Sequence, residues 1–271
     1  MPAPEYANLH ARARACLLLG EPSEKCAAVD VLREDFAAGR VLPVPGYDCA
    51  PVLEPGRPAR PRLVPPAAVP RRTPHTREGH AALIHAICHI EFNAINLALD
   101  CCCRYATLPP EFHAGWLQVA WEESTHYRLL AARLAKLGFG YGDFEAHDGL
   151  LQMALKTAAD PLARMALVPR VLEARGLDAT PPIMAKLGKI GDQESLDILA
   201  IILRDEIGHV RLGDTWFRRL CAERGLEPEA TFRALIAQFD APAPQPPFNA
   251  AARLAAGFTA DELAQWDRTR N

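Results

Sequence analysis

Glu122-Glu123-Ser124-Thr125-His126 and Asp205-Glu206-Ile207-Gly208-His209 decide how this chain is read. Each holds a Glu-x-x-His, a spacing that puts both side chains on one helical face, one turn apart. Around Glu123 that face carries Trp116, Val119, Ala120, Tyr127 and Leu130; around Glu206 it carries Leu199, Ile202, Leu203, Val210 and Phe217. A solvated acid is not placed among such neighbours. Moving outward, two lone glutamates sit on apolar faces of their own. Glu91 shares its face with Ile84, Ile87, Cys88, Ala94, Ile95 and Ala98, and Glu173 with Leu162, Met165, Ala166 and Leu177. Glu91 precedes Glu123 by 32 residues and Glu173 precedes Glu206 by 33. Each half therefore reads lone Glu, helical hairpin, Glu-x-x-His. With 18 Glu and 9 His, one such match arises by chance in roughly every second chain of this length, so the weight lies in the pairing.

Four carboxylates aimed at one core are intolerable alone, because burying an unpaired ionised group costs many kcal/mol. Two metal cations would neutralise them. Six ligands, Glu91, Glu123, His126, Glu173, Glu206 and His209, match the carboxylate-and-imidazole set of dinuclear helical bundles. The alternative is a set of surface glutamates in helical salt bridges. A metal-bound histidine usually gives its other N–H to a carboxylate, and Asp205 and Glu122 each precede a ligand glutamate. The expectation is that Asp205 orients His126 and Glu122 orients His209. His85 and His89 fall off the Glu91 face and read as core histidines bonded to other helices. Tyr127 reads as a packed aromatic rather than an electron relay. The Cys101–Cys103 run lies roughly 15 Å along the helix from Glu91, too far to touch the metals.

The 271 residues are 49% hydrophobic and 23% charged, enough for one large domain with appendages or for two small ones. A net charge of −3 gives no long-range attraction to a phosphate backbone, which disfavours nucleic acid as a partner. The longest apolar run in a helical pattern is Ile198 to Leu203, far short of the ~20 residues a membrane span takes. The stretch Ala15 to Leu19 is too short for a signal-peptide core, so a cytoplasmic location is expected. None of the eight cysteines forms a C-x-x-C pair, and they read as reduced, mostly buried small hydrophobes.

The pattern predicts two short helices over 5–40, the second opening at Ser23. Ten prolines in the 34 residues 41–74 make that stretch an extended arm lying on the domain surface. Four long helices follow, over about 76–104, 110–138, 149–176 and 192–225, with Pro169 opening or kinking the third. Residues 137–149 serve as one long crossover, able to run the length of a bundle. A short helix, a proline-rich bend and a final helix with a Thr259/Glu262 capping box complete the chain. The expected fold class is all-α: a four-helix bundle (76–225) with N-terminal helices and arm (1–75) and a C-terminal helical extension (226–271).

The Asp/Glu-Glu-x-x-His pair with two lone glutamates resembles the ferritin-like di-iron carboxylate superfamily. His89–Ile95, Ala163–Gly176 and Ile202–Val210 look like a bacterial ferritin-like family catalogued as domain of unknown function 455, over nearly the whole chain. That resemblance implies the fold and the metal ligands, and no substrate. It implies two iron ions, with manganese or a mixed pair as alternatives and zinc as an expression artefact. The leading functional expectation is an oxidase or oxygenase using O₂, a small organic substrate and an unidentified electron donor. The alternatives are a ferroxidase or iron-handling protein and a non-catalytic metal-binding bundle. Storage cages need free outer faces, and the appendages argue against one. No membrane or nucleic acid is expected as partner, and a homodimer stays open.

Overall fold

The computed structural model describes residues 7–70 and 72–268, and its regular structure among them is helical, with two isolated parallel bridges. The chain divides into two units, Met1–Leu151 and Gln152–Asn271.

In the first unit, α1 (Leu9–Leu18) starts at Asn8, whose side chain accepts from the N–H groups of His10 and Ala11. The sequence expectation extended this region to residues 5 and 6, which lie outside the described residues. α2 (Pro22–Ala37) opens on Pro22 after Glu21 rather than at Ser23. Proline's missing N–H costs nothing at a helix start, and its φ is already set. α3 (Arg77–Arg104) is capped by the Thr76 hydroxyl, which accepts from the Gly79 N–H at 3.0 Å. α4 (Pro110–Leu137) ends at Gly138, whose φ of +82° supplies a left-handed cap. α3 and α4 pack along each other as a hairpin around Phe92, Ile95, Phe112, Trp116 and Leu130, all essentially buried. By length and composition α3 could cross a membrane, although no unbroken apolar run in it approaches ~20 residues. Yet 72% of its most apolar window is buried inside the protein, as in a core helix.

The arm is extended apart from one 3-10 turn, Pro66–Ala68, and it is pinned down through its carbonyls. Arg14 Nε donates to Ala50 O (3.1 Å), Arg104 Nη2 to Val52 O (3.4 Å) and buried Lys25 Nζ to Gly56 O (2.7 Å). Prolines remove the arm's donors but leave its acceptors, so cationic side chains do the tethering. Lys25 also donates to Leu17 O (3.1 Å) and to the Asn96 amide oxygen, joining α1, arm and α3. Burial pulls its pKa down to about 7. Val64 N–H donates to Ala146 O, and Ala146 N–H to Arg62 O, pairing the arm with the segment after α4. His85 and His89 are buried as expected, but that same segment holds them rather than other helices. Gly142 N–H donates to His85 Nε2 (2.9 Å), and His89 contacts Tyr141 Oη (2.9 Å) and His147 O (3.1 Å).

The single helix expected over 149–176 is four pieces: α5 (Gly149–Lys156) and, in the second unit, α6 (Pro161–Leu167), a π-helical turn (Val168–Glu173) and α7 (Ala174–Lys189). The first break has a local cause. Asp160 accepts from the Leu162 N–H at 2.9 Å and Pro161 takes the first helical position, a start signal that outweighs continuation. The opening expected at Pro169 is the π-turn: a proline removes one ladder donor and its ring excludes the carbonyl a turn back. Gly176 does not stop the helix. α7 continues through Pro181 and Pro182 because Leu177 and Leu187 are fully buried, and one interior glycine costs only ~1 kcal/mol.

α8 (Gln193–Glu223) begins at Asp192, which accepts from the Ser195 N–H at 3.0 Å. After α9 (Pro228–Gln238), the final helix expected to start at the Thr259/Glu262 capping box is α11 (Ala260–Arg268), and a further short helix that the sequence did not announce, α10 (Ala250–Ala255), precedes it. The capping box is formed in both directions: Glu262 N–H to Thr259 Oγ1 (3.0 Å) and Thr259 N–H to Glu262 Oε2 (2.7 Å). Ala174, Leu177, Val210, Ala252, Ala256, Phe258 and Leu263 make one core cluster of α7, α8 and the C-terminal helices. All eight cysteines are free and seven are buried, Cys49 being half-buried, which fits the reading of reduced core residues.

Candidate metal centre

Glu123 and His126 lie one turn apart on α4, and α3 brings Glu91 beside them. All three are buried, with exposures of 1%, 0% and 4%. His126 Nδ1 is 3.0 Å from Glu91 Oε2 and 3.4 Å from Glu123 Oε2. One oxygen or nitrogen from each of the three lies within 4.8 Å of the others, so this cluster could bind a metal ion.

The electrostatics explain why it would. Burial, reinforced by the charge of Glu123, raises the Glu91 pKa to about 8. Burial alone would lower that of His126, but hydrogen bonds and charge from Glu123 and Glu91 push it up to about 11. The cluster thus holds protons that solvated side chains would release. A cation can take the place of those protons. Carboxylate oxygens with an imidazole nitrogen form a donor set that suits iron, manganese or zinc, and no thiolate is among them.

The neighbourhood is aromatic. Tyr127, next after His126, packs on Phe92 (5.6 Å between centroids) and Tyr141 (5.3 Å), the packed role expected of it. A surface pocket of about 630 Å³ is lined by Tyr127, Tyr141, Cys26, Ala27, Pro58 and Ala131 among others, within the first unit.

In the second unit, His209 Nδ1 is 3.3 Å from Glu206 Oε1 on α8, with His209 at 1% exposure. Glu173 ends the π-turn and is half-buried, not fully buried as its apolar face suggested. Asp205 accepts two bonds from Arg204, at 2.7 and 3.0 Å, and Glu122 accepts one from Gln118 at 2.8 Å.

Sequence reasoning missed the residues around the π-turn. Arg170 is fully buried, ion-paired to Glu262 (2.6 Å) and Asp214 (3.2 Å), with its guanidinium over Phe217, Phe232 and Phe258. A signal was present: Arg170 interrupts the otherwise apolar Met165–Leu172, where a charge needs a partner.

No solved structure matches this chain. A protein of Haemophilus influenzae (strain ATCC 51907 / DSM 11121 / KW20 / Rd), described as an uncharacterized protein, is 50% identical over 213 residues, or 76% of this chain and 74% of the relative. The family described as "Protein of unknown function (DUF455)" matches residues 19–264, a span that takes in the arm, every candidate ligand and Glu262, and the chain belongs to that family.

Proposed function

We propose that Glu91, Glu123, His126, Glu173, Glu206 and His209 hold two metal ions, iron by preference, in a ferritin-like four-helix bundle, and that the loaded protein is an oxidase or oxygenase. The observation that carries this reading is the buried Glu91–Glu123–His126 cluster. Its sequence pattern recurs around Glu173, Glu206 and His209. When bound, two iron ions supply O₂ reduction, drawing electrons from a donor protein or small reductant. The side chains would hold the ions and exclude water. Asp205 is assigned to orient His126 and Glu122 to orient His209, each by accepting an imidazole N–H.

A pocket of about 630 Å³ beside Tyr127, within the usual size range of small-molecule sites, favours an organic substrate over iron storage. The test is anaerobic reconstitution with Fe(II), metal counting, and then O₂ consumption against a panel of metabolites. About two ions per chain and O₂ uptake that depends on an added metabolite support the reading. Rapid Fe(II) oxidation with no organic dependence would move the function to a ferroxidase. Failure to retain metal would remove the reading altogether.

A further inference from the structure

Arg170 lies inside the π-turn, three residues before Glu173, and its side chain occupies a socket made by other elements of the second unit. Arg170 Nη2 donates to Glu262 Oε1 of α11 at 2.6 Å, and Nε lies 3.2 Å from Asp214 Oδ1 of α8. Arg218 closes the ring: its Nε donates to Asp214 Oδ2 (2.8 Å) and its Nη2 to Glu262 Oε2 (3.0 Å). Two guanidiniums and two carboxylates cancel in charge. The faces of Phe217 and Phe232 lie 4.6 and 4.4 Å from the Arg170 guanidinium, as a desolvated cation prefers.

One residue upstream, Pro169 meets α8 at Gly213. A Cβ added at Gly213 would overlap the Pro169 ring, so only glycine lets the two segments come this close. Gly213 and Asp214 follow His209 by four and five residues on α8. The turn is therefore held against α8 at two adjacent points, one steric and one ionic, about one turn beyond His209.

We infer that Arg170, Gly213 and Glu262 are positioning residues that fix the phase of the π-turn, and with it the direction in which Glu173 is presented relative to Glu206 and His209. A slip of one residue between π and α winding turns everything downstream by about 100°, which would carry a carboxylate off its face. Arg170 seated in its socket blocks that slip. The C-terminal extension thereby becomes part of the site's construction, since it supplies Glu262. This inference rests on reading Glu173, Glu206 and His209 as ligands, and the experiment separates the two ideas.

The test uses the full chain, Glu262→Gln and Gly213→Ala, loaded with Co(II) alone. Circular dichroism and thermal unfolding establish that each variant is folded, and Glu262→Gln, being isosteric, carries the test if Gly213→Ala does not fold. The expected result is faster amide exchange centred on 168–173, an altered Co(II) visible spectrum, and release of an ion to a chelator about 10- to 100-fold faster. Wild-type protection, spectrum and release in a folded Glu262→Gln would overturn the inference. Should the wild-type chain bind no Co(II), the ligand reading falls, and amide exchange alone decides the clamp: a loss centred on 168–173 supports it, unchanged protection overturns it.

Discussion

In the first unit the lone glutamate, Glu91, stands in the middle of an unbroken 28-residue helix; in the second its counterpart, Glu173, ends a six-residue π-turn. The surroundings differ as sharply. Beside the His126 cluster, the first unit buries neutral imidazoles: burial lowers the pKa of His10, and pulls those of His85 and His113 down to about 4. The second buries paired charges, Arg170 with Asp214 and Glu262, and Arg253 with Asp178 at 2.6 Å. The comparison teaches that spacing can repeat a set of functional side chains while leaving the backbone beneath them free. A regular helix needs only its ladder and an apolar face. A π-turn gives up ladder geometry and survives where side chains outside it hold it open.

The hardest blow to the comparison would come from the metal ligands. Under the proposed function, purified protein carries about two ions of iron or manganese per chain, and Glu123→Ala and Glu206→Ala each lose at least one, measured by elemental analysis. Full occupancy in both variants would sink the ligand set. Loss in Glu123→Ala alone would show that the likeness of the halves stops at sequence.

Next in size is Asp205→Asn. The amide keeps the shape, loses the charge and can present its NH₂ to the imidazole. The variant should fold normally and release metal to a chelator about 10- to 100-fold faster. An unchanged release rate would remove Asp205 from the metal site's construction.

The buried imidazoles make a pH prediction that is particular to the first unit. A histidine whose folded pKa lies below its unfolded value binds fewer protons when folded, so acid favours the unfolded chain. For His85 and His113, stability is intact above pH 6.5 and drains as pH falls toward about 4. Each shift, from 6.5 to about 4, is worth about 3 kcal/mol across that window. Amide exchange of α3 and α4 between pH 7 and 4.5 should report it, and His85→Gln should flatten the slope. Acid loss confined to the second unit would contradict the assignment.

The smallest effect belongs to the α11 cap. Thr259→Ala removes the acceptor of the Glu262 N–H and should cost about 1 kcal/mol, visible as a small drop in Tm and faster exchange at the start of α11. A loss several times larger would mean that Thr259 also keeps Glu262 aimed at Arg170.

The helical class, the spans of α3, α4 and α8 to within a residue or two and the capping box are legible in the residues alone, as is the pattern that nominates the candidate ligands. These depend on local rules: periodicity of apolar residues, proline and glycine at helix ends, and i,i+3 spacing on one face. The sequence also announced trouble at Pro169, since a missing N–H is visible in one residue. Tertiary structure decided the rest. Gly176 looked like a stop, but Leu177 and Leu187 bury fully and carry α7 onward. His85 and His89 find their partners in the segment after α4, which no local spacing encodes. Arg170 is answered by Asp214 and Glu262, 44 and 92 residues further along the chain. Helix propensity acts over a few residues, whereas neutralising a buried charge requires whichever partner the fold delivers, at any distance along the chain.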